Sequence, residues 1–249
     1  MQKIPVGAQL WPLREECEKD FAGTLQKISA MGYEGIEFAG FPEISSSVIK
    51  KILQQYKLRC AGAHIPIEKL EEKSFNQTVD WCLTVGVNII IVPGLPEKKR
   101  NSISAIKHTA EEFNKLAERL KPSKIRLGFH NHVVDLETIE DKPMLEHFFL
   151  NTSPDVLLQL DTGHIARAGY NPVELLKHYG KRVVTVHLKE WTPDPHGAVI
   201  GEGKIEWEKV FSVCEEIGVE WYIVEQEISP LPPMETARRC RENLQKMGR

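Results

Sequence analysis

The sequence predicts a single (β/α)₈ barrel that spans residues 1–249. Eight apolar segments of strand type alternate with eight segments of helical periodicity, and no linker or change in composition interrupts them. Alternation of this kind gives parallel strands, and eight such units close into a barrel. The length of 249 residues is also near the usual size of one barrel. Polar residues end nearly every strand, which an open doubly wound sheet, the alternative fold, does not explain.

The predicted strands are short apolar runs bounded by glycine, proline or polar residues. The clearest run, Val156–Leu160, ends in Asp161, and its nearly continuous apolar character is typical of a strand buried on both faces. The predicted strands are Pro5–Trp11, Gly35–Gly40, Arg59–Pro66, Asn88–Gly94, Ile125–His132, Val156–Asp161, Val183–Glu190 and Trp221–Glu227.

The predicted helices carry apolar residues three and four positions apart. In the first of them, Phe21, Leu25 and Ile28 share one face, and Gly32 follows as a stop signal. Pro172 favours the first turn of another helix. The predicted helices are Phe21–Met31, Ser45–Tyr56, Ser74–Val85, Ser102–Leu120, Pro143–Phe149, Pro172–Gly180, Trp207–Ile217 and Glu235–Met247.

The composition is that of an ordinary globular protein, with 41% hydrophobic and 27% charged residues. A net charge of −3 gives no general attraction to nucleic acid or to anionic membranes, and we expect neither as a partner. No stretch approaches the roughly 20 apolar residues that cross a bilayer. The N-terminal stretch has no apolar signal-peptide core, and the five scattered cysteines form no CxxC pair. We therefore expect a cytoplasmic protein with reduced thiols.

Side chains with acid–base or metal-binding chemistry stand where the predicted strands end. In a barrel enzyme the catalytic groups cluster at this rim. One or two carboxylates with two or three imidazoles suit a divalent metal such as Mn, Zn, Co or Fe(II). The sequence has no Gly-x-Ser-x-Gly elbow and no glycine-rich phosphate loop, which disfavours a serine hydrolase or a P-loop enzyme. The strand-end residues are Glu37, His64, His130, His132, Asp161, His187, Lys189 and Glu225.

Asp161 and His164 share one short turn, and two interpretations fit them. Both are metal-ligand types, and Gly163 lets the backbone bend sharply between them. Alternatively, Asp161 caps the helix that follows. The residues alone leave both interpretations open.

Four short motifs together resemble a known family. They read LDTGH at 160–164, VHLKE at 186–190, GEGKIEW at 201–207 and VEQ at 224–226. In this order they resemble the xylose isomerase-like barrels, and within them the sugar phosphate isomerase/epimerase group, which is related to endonuclease IV. The resemblance covers essentially the whole chain. It implies a barrel that binds one divalent metal ion and acts on a small carbohydrate.

The resemblance also implies four metal ligands. The family has a carboxylate on strand five, followed by Asp, His and Glu on strands six to eight, and the last three correspond to Asp161, His187 and Glu225. Many members carry Glu-Asn-His on strand five, whereas this chain reads His-Asn-His at 130–132. We expect His130 to take the place of the glutamate, or else His132, which lies on the same face of the strand.

The chemistry that the resemblance implies is isomerisation or epimerisation of a small keto sugar or inosose through an enediolate. A bound metal ion would polarise the carbonyl and ease removal of the neighbouring proton. We expect Glu225 to be ligand and base, His132 to be its acid/base partner, and Lys189 to neutralise the developing oxyanion.

Four further residues are expected to contact the sugar. For Glu37 and His64 the alternative is a purely structural hydrogen bond. For Trp11 the alternative is a place in the hydrophobic core. These residues are Glu37, His64, His164 and Trp11.

Other functions remain open at this point. A lyase or dehydratase of the inosose or 3-keto-sugar type would use the same intermediate, and a barrel without its usual pair of glutamates could bind sugar or metal without catalysis. DNA repair is disfavoured. His64 and the Asp194–His196 segment resemble two ligand sites of endonuclease IV, but Val92–Gly94 lacks the histidine that it needs on strand four.

Overall fold

Across residues 3–249, which the computed structural model describes, eight parallel strands form a closed barrel. Each strand pairs with its neighbours in chain order, and the last strand pairs with the first to close the barrel. The predicted barrel is therefore confirmed, although its first two residues lie outside the described part. The strands are β1 (Val6–Gln9), β2 (Gly35–Ala39), β3 (Arg59–His64), β4 (Ile89–Val92), β5 (Arg126–His130), β6 (Val156–Asp161), β7 (Val183–Leu188) and β8 (Trp221–Val224).

One long helix follows each strand, as the apolar periodicity predicts. Polar caps fix three of the starts, because Asp20, Ser102 and Asn171 accept hydrogen bonds from the backbone N–H groups of Gly23, Ala105 and Val173 respectively. The helices are α1 (Phe21–Ala30), α2 (Ser46–Gln55), α3 (Glu72–Val85), α4 (Ile103–Leu120), α5 (Met144–Asn151), α6 (Pro172–Tyr179), α7 (Trp207–Ile217) and α8 (Pro233–Lys246).

Several short elements were not predicted, among them five 3-10 helices in the loops of the described residues. Helices at Arg14–Lys19 and Thr162–Arg167 follow β1 and β6, and a hairpin pairs Thr138–Ile139 with Lys142–Pro143. Several strands also end earlier than predicted; β8, for example, ends at Val224. Glu225 therefore follows the end of β8, although its backbone N–H still donates to the carbonyl oxygen of Leu188. Within the described residues, no helix is both long enough and apolar enough to cross a membrane.

Strand β6 shows how the sequence separates the two faces of the sheet. Val156, Leu158 and Leu160 are fully buried in the main core between strands and helices, which stabilises the fold by about 1.5–3 kcal/mol for each side chain. The alternate residues, among them Gln159 and Asp161, face the barrel interior. Both faces are buried, which explains the nearly continuous apolar run.

The barrel interior changes from apolar to polar toward the C-terminal ends of the strands. Ile89, Ile91 and Val184 form a small apolar cluster that is separate from the main core. Farther along the strands, a glycine makes room for a buried carboxylate, since a Cβ at Gly62 would lie 3.0 Å from Oε1 of Glu37. The polar layer above this cluster carries the candidate site.

Candidate active site

Four buried residues bring metal-ligand atoms together at the C-terminal rim. One ligand atom from each lies within 4.8 Å of the others. The barrel register explains the convergence, because Asp161 pairs directly with His187 across β6 and β7. All four come from adjacent strands β5 to β8, as the sequence predicts. The residues are His130, Asp161, His187 and Glu225.

Asp161 caps the short helix after β6, which is one of the two interpretations, and keeps a second oxygen available for the other. Its Oδ1 accepts a hydrogen bond of 2.7 Å from the His164 N–H and so caps the short helix after β6. Its Oδ2 is buried and accepts no hydrogen bond, although Lys189 Nζ approaches to 3.3 Å. The Lys189 ammonium pairs electrostatically with this oxygen but leaves it without a hydrogen bond, which is unusual for a buried carboxylate oxygen. Two imidazoles and two carboxylates around this oxygen fit a divalent metal ion.

His187 lies between carboxylates on both of its ring nitrogens. Its Nε2 is 2.7 Å from Oε2 of Glu37, and its Nδ1 is 3.1 Å from Oε2 of Glu225. Burial alone would lower the pKa of His187, but the charges of Glu37 and Glu225 raise it to about 10. In the metal-free protein this imidazole therefore carries two protons, one of which a metal ion would replace at Nδ1.

Glu37 does not fit its expected role as a sugar contact. Its carboxylate is fully buried, and Oε2 accepts a hydrogen bond of 2.6 Å from Gln9 in addition to the one from His187. Oε1 accepts a hydrogen bond of 2.6 Å from Gln159. Burial opposes ionisation, but the imidazoles of His64 and His187 lower the pKa of Glu37. This residue lies beneath the site and orients His187, which is the structural alternative considered for it.

Gln9 and Gln159 are buried members of this layer that sequence reasoning missed. Gln159 lies on β6 and contacts Glu37, His64 and His130. A single glutamine inside an apolar strand gives no functional signal in a sequence. Only the position of both residues near predicted strand ends could have indicated a role.

Lys189 joins the ligand cluster to the loops above it. Its ammonium lies 2.9 Å from Oε2 of Glu225 and 2.8 Å from Oε2 of Glu227. Burial alone would lower its pKa, but the charges of Asp161, Glu225 and Glu227 raise it well above its usual range. Burial would in turn raise the pKa of Glu225, but Lys189 and His187 hold it well below its ordinary value. Both groups therefore remain charged near neutral pH.

The strand-five histidines point toward the site while the residue between them points away. The rings of His130 and His132 are 4.8 Å apart, and Asn131 Oδ1 accepts a hydrogen bond from the backbone N–H of Asp161. Burial lowers the pKa of His132 to about 4, and the neighbouring His164 adds to this effect. Burial also lowers the pKa of His130 well below its ordinary value. Both imidazoles are therefore neutral near pH 7.

A cavity of about 360 Å³ opens above the cluster. Trp11, His64, His132 and Glu225 line it, so two of the four predicted sugar contacts face this space. The indole of Trp11 is 47% exposed, which excludes the alternative of a core position. His164 instead lines a neighbouring cavity of about 450 Å³ together with Lys189, and its ring lies 4.8 Å from that of His132.

Residues 25–247 match the family model of the xylose isomerase-like TIM barrels. The chain belongs to this family. Among curated proteins it is similar to an inosose dehydratase from Clostridium botulinum (strain Eklund 17B / Type B), with 27% identity over an alignment that covers 90% of this chain and 89% of the relative.

Solved structures of the family share the same fold. A sugar phosphate isomerase/epimerase from Parabacteroides distasonis ATCC 8503 superposes with a TM-score of 0.86 at 23% identity, covering 98% of this chain and 97% of the other. The IolI protein, whose crystal structure contains a bound zinc atom, superposes with a TM-score of 0.76 at 16% identity, covering 98% of this chain and 97% of the other.

One family motif proves to be architectural in this chain. Glu190, directly after Lys189, is buried and accepts hydrogen bonds from five N–H groups. Most of them belong to the GEGKIEW segment, including the indole N–H of Trp207 at 2.7 Å. A Cβ at Gly203 would lie 2.5 Å from this carboxylate, so only glycine fits there. The donors are the backbone N–H groups of Trp191, Gly201, Lys204 and Ile205 and the indole of Trp207.

Proposed function

We propose that this protein is a divalent-metal-dependent dehydratase of a small polyhydroxylated ketone of the inosose type. The observation that carries the proposal is the buried, hydrogen-bond-free Oδ2 of Asp161 among four converging ligand atoms. Such a group is explained if a cation binds there. The similarity to an inosose dehydratase over 90% of the chain supports the substrate class and the elimination.

His130, Asp161, His187 and Glu225 would hold the metal ion, and Mn, Zn, Co and Fe(II) all suit their nitrogen and oxygen atoms. The zinc in the IolI structure supports a divalent ion in this fold. When bound, the ion supplies Lewis-acid polarisation of the substrate carbonyl.

His132 is the group that we assign to proton transfer. It lines the cavity, and its neutral imidazole has a free lone pair that would accept the proton next to the carbonyl, with burial and His164 keeping it a weak base in the metal-free protein. As the carbon–hydrogen bond breaks, the electron pair forms the enediolate. Expulsion of the β-hydroxyl then forms the double bond, and the proton held on His132 leaves with that hydroxyl as water. Lys189, which was predicted to neutralise the oxyanion, does not line this cavity; its ammonium instead balances the carboxylates of Asp161 and Glu225.

Glu225 remains a proposed ligand and an alternative base. Its Oε2 already contacts Lys189 and His187, which hold the carboxylate ionised and reduce its basicity. The assignment of proton transfer to His132 therefore differs in emphasis from the sequence prediction, in which Glu225 is the base. Isomerisation or epimerisation would start from the same enediolate, and it stays an alternative outcome that rests on the shared fold.

The cavity wall favours a substrate without phosphate. Its described lining includes the carboxylates of Glu225 and Glu227 but no lysine or arginine. Pro66 and Pro93 also line it, and proline has no N–H that could bind a phosphate oxygen. The exposed indole of Trp11 offers an apolar face to the C–H side of a sugar or cyclitol ring.

The test is incubation of the metal-loaded protein with an inosose in deuterated water. A dehydratase gives a product that has lost one water molecule, detected by mass spectrometry, and metal-free protein gives none. An isomerised ketone that has lost no water and carries carbon-bound deuterium would support the alternative enzyme class. Bound metal with neither product nor deuterium exchange, across a panel of inososes and keto sugars, would indicate a non-catalytic binding barrel and overturn the proposal.

A further inference from the structure

Gln159 uses its entire hydrogen-bonding capacity in the layer beneath the candidate site. The side chain is fully buried on β6, two residues before Asp161. Its Nε2 donates to Oε1 of Glu37 at 2.6 Å and to Oγ1 of Thr185 at 3.0 Å. Its Oε1 lies 2.6 Å from Nε2 of His64 and 3.0 Å from Nδ1 of His130.

The contact with Glu37 decides which way the amide points. An ionised carboxylate only accepts hydrogen bonds, so the NH₂ group of Gln159 must face it. The amide oxygen therefore faces the two imidazoles and accepts from both. It follows that Nε2 of His64 and Nδ1 of His130 each carry a hydrogen.

This arrangement matters because a neutral imidazole has only one nitrogen with a free lone pair. With its hydrogen on Nδ1, His130 keeps the lone pair on Nε2. We infer that Gln159 is a positioning residue that selects this tautomer and so makes Nε2 of His130 the metal-binding nitrogen. The inference rests on the proposed metal centre and extends it to a residue that does not line the cavity.

Glu37 sets the orientation of His187, the other proposed imidazole ligand, in the same way. It accepts from Nε2 of His187, which leaves Nδ1 as the nitrogen that faces Asp161 and Glu225. Because Glu37 and Gln159 are hydrogen-bonded to each other, one pair of residues sets both imidazoles. The two ligands consequently present different ring nitrogens to the site.

Two substitutions separate the donor and acceptor functions of the amide. Gln159→Leu removes the acceptor, so His130 is free to move its hydrogen to Nε2. Gln159→Glu removes the donor to Glu37 but keeps oxygen atoms opposite both imidazoles. Thr185→Val is the matched control, because it removes a hydrogen bond to the same amide without touching the acceptor side.

The first measurement is the ¹⁵N spectrum of His130 in the metal-free protein, which reports the tautomer independently of activity. We expect the Nδ1–H form in the wild type, in Gln159→Glu and in Thr185→Val, and loss of that preference in Gln159→Leu. The second is metal affinity by chelator competition. Gln159→Leu should weaken it about 10- to 100-fold, as is typical when the partner of a ligating histidine is lost, and Thr185→Val should leave it nearly unchanged.

Several results would overturn the inference. They are an Nε2–H tautomer in the wild type, an unchanged tautomer and affinity in Gln159→Leu, or loss of the Nδ1–H form in Gln159→Glu. If Gln159→Leu does not fold, by circular dichroism, the wild type and Gln159→Glu still decide the tautomer. Failure of the wild type to bind metal, with the Nδ1–H form present, would count against the proposed function alone.

Discussion

Two buried carboxylates at the ends of neighbouring strands, Glu190 after β7 and Asp161 on β6, have opposite surroundings. Glu190 accepts five N–H hydrogen bonds and has no spare oxygen to offer a ligand. Asp161 caps a helix with Oδ1 and leaves its buried Oδ2 without a hydrogen bond. Both belong to motifs of the same family. Within this pair, the saturated carboxylate holds a loop in place, whereas the carboxylate with a spare oxygen is the one that we propose as a metal ligand.

The largest expected effect of this difference is on metal binding by Asp161→Asn. The amide oxygen can still cap the helix, so the fold is retained, but the anionic ligand is lost. We expect the purified variant to lose its metal on desalting. The measurement is metal content per chain, with circular dichroism as a check of the fold. Asp155→Asn, an exposed change just before the same strand, is the control and should retain the metal.

Full metal occupancy in Asp161→Asn would mean that Oδ2 is not a ligand atom. The comparison with Glu190 would then lose its meaning, because a buried oxygen without a hydrogen bond would have no functional explanation.

The next largest effect is expected on the rate of the reaction when His132 is changed. His132→Ala removes the proposed proton carrier and should lower the rate about 10²- to 10⁴-fold. Metal content should stay normal, because His132 is not one of the four proposed ligands. Deuterium exchange next to the substrate carbonyl, followed by NMR, measures the proton-transfer step directly. A near-normal exchange rate would transfer the base role to Glu225.

His130→Ala and Glu225→Gln are the matched comparisons for this prediction. Both remove a proposed ligand, so both should weaken metal binding, and added metal should recover part of the activity. If Glu225 is also the base, its variant should remain slow at saturating metal. If His130→Ala keeps its metal and His132→Ala loses it, the two strand-five assignments are exchanged.

The contrast between Asp161 and Glu190 also shows which parts of the fold and of the candidate site could be predicted from the sequence. The barrel followed from alternating strands and helices, and polar residues at strand ends placed a site at its rim, whereas the four proposed ligands came from the family resemblance and stay a prediction. The saturation of Glu190 was not predictable, because its donors lie up to 17 residues further along the chain and meet it only when the loop folds back. Gln159 was missed for a similar reason, since its partners come from four other strands.

A smaller but measurable effect is expected on stability when Glu190 is changed. In the wild type these N–H donors face the two carboxylate oxygens of Glu190. In Glu190→Gln an NH₂ group replaces one of these oxygens, so the buried donors that bonded to it lose their acceptor. We expect the free energy of unfolding to fall by about 2–4 kcal/mol. Urea unfolding of the metal-free proteins measures it, and metal content should be unchanged in the folded variant.

The control for this change is Glu206→Gln in the same motif. Glu206 is exposed and contacts Lys209, so its replacement should alter stability by less than about 0.5 kcal/mol. Equal stability losses in the two variants would show that the hydrogen bonds to Glu190 are not what stabilises the loop.

Asp135 tests an intermediate case, a buried carboxylate with a single strong donor. Its Oδ2 accepts one hydrogen bond of 2.7 Å from the backbone N–H of His132. Burial raises the pKa of Asp135 to about 6, although this hydrogen bond opposes the rise. The folded protein therefore holds a proton on Asp135 at pH values where the unfolded chain has lost it. This contribution to stability is fully present below the unfolded pKa and is lost as pH rises through the folded pKa.

Asp135→Asn isolates that contribution, because an amide resembles the protonated acid and keeps an oxygen for the His132 N–H. The stability of the wild type relative to this variant should fall by about 2 kcal/mol between pH ~4.5 and pH ~7.5. Urea unfolding at the two pH values gives the difference, and the exposed Asp155→Asn serves again as the control. If the difference in unfolding free energy between the wild type and Asp135→Asn does not change with pH, one hydrogen bond suffices to keep a buried carboxylate ionised. The absence of a hydrogen bond at Oδ2 of Asp161 would then be weaker evidence for a ligand.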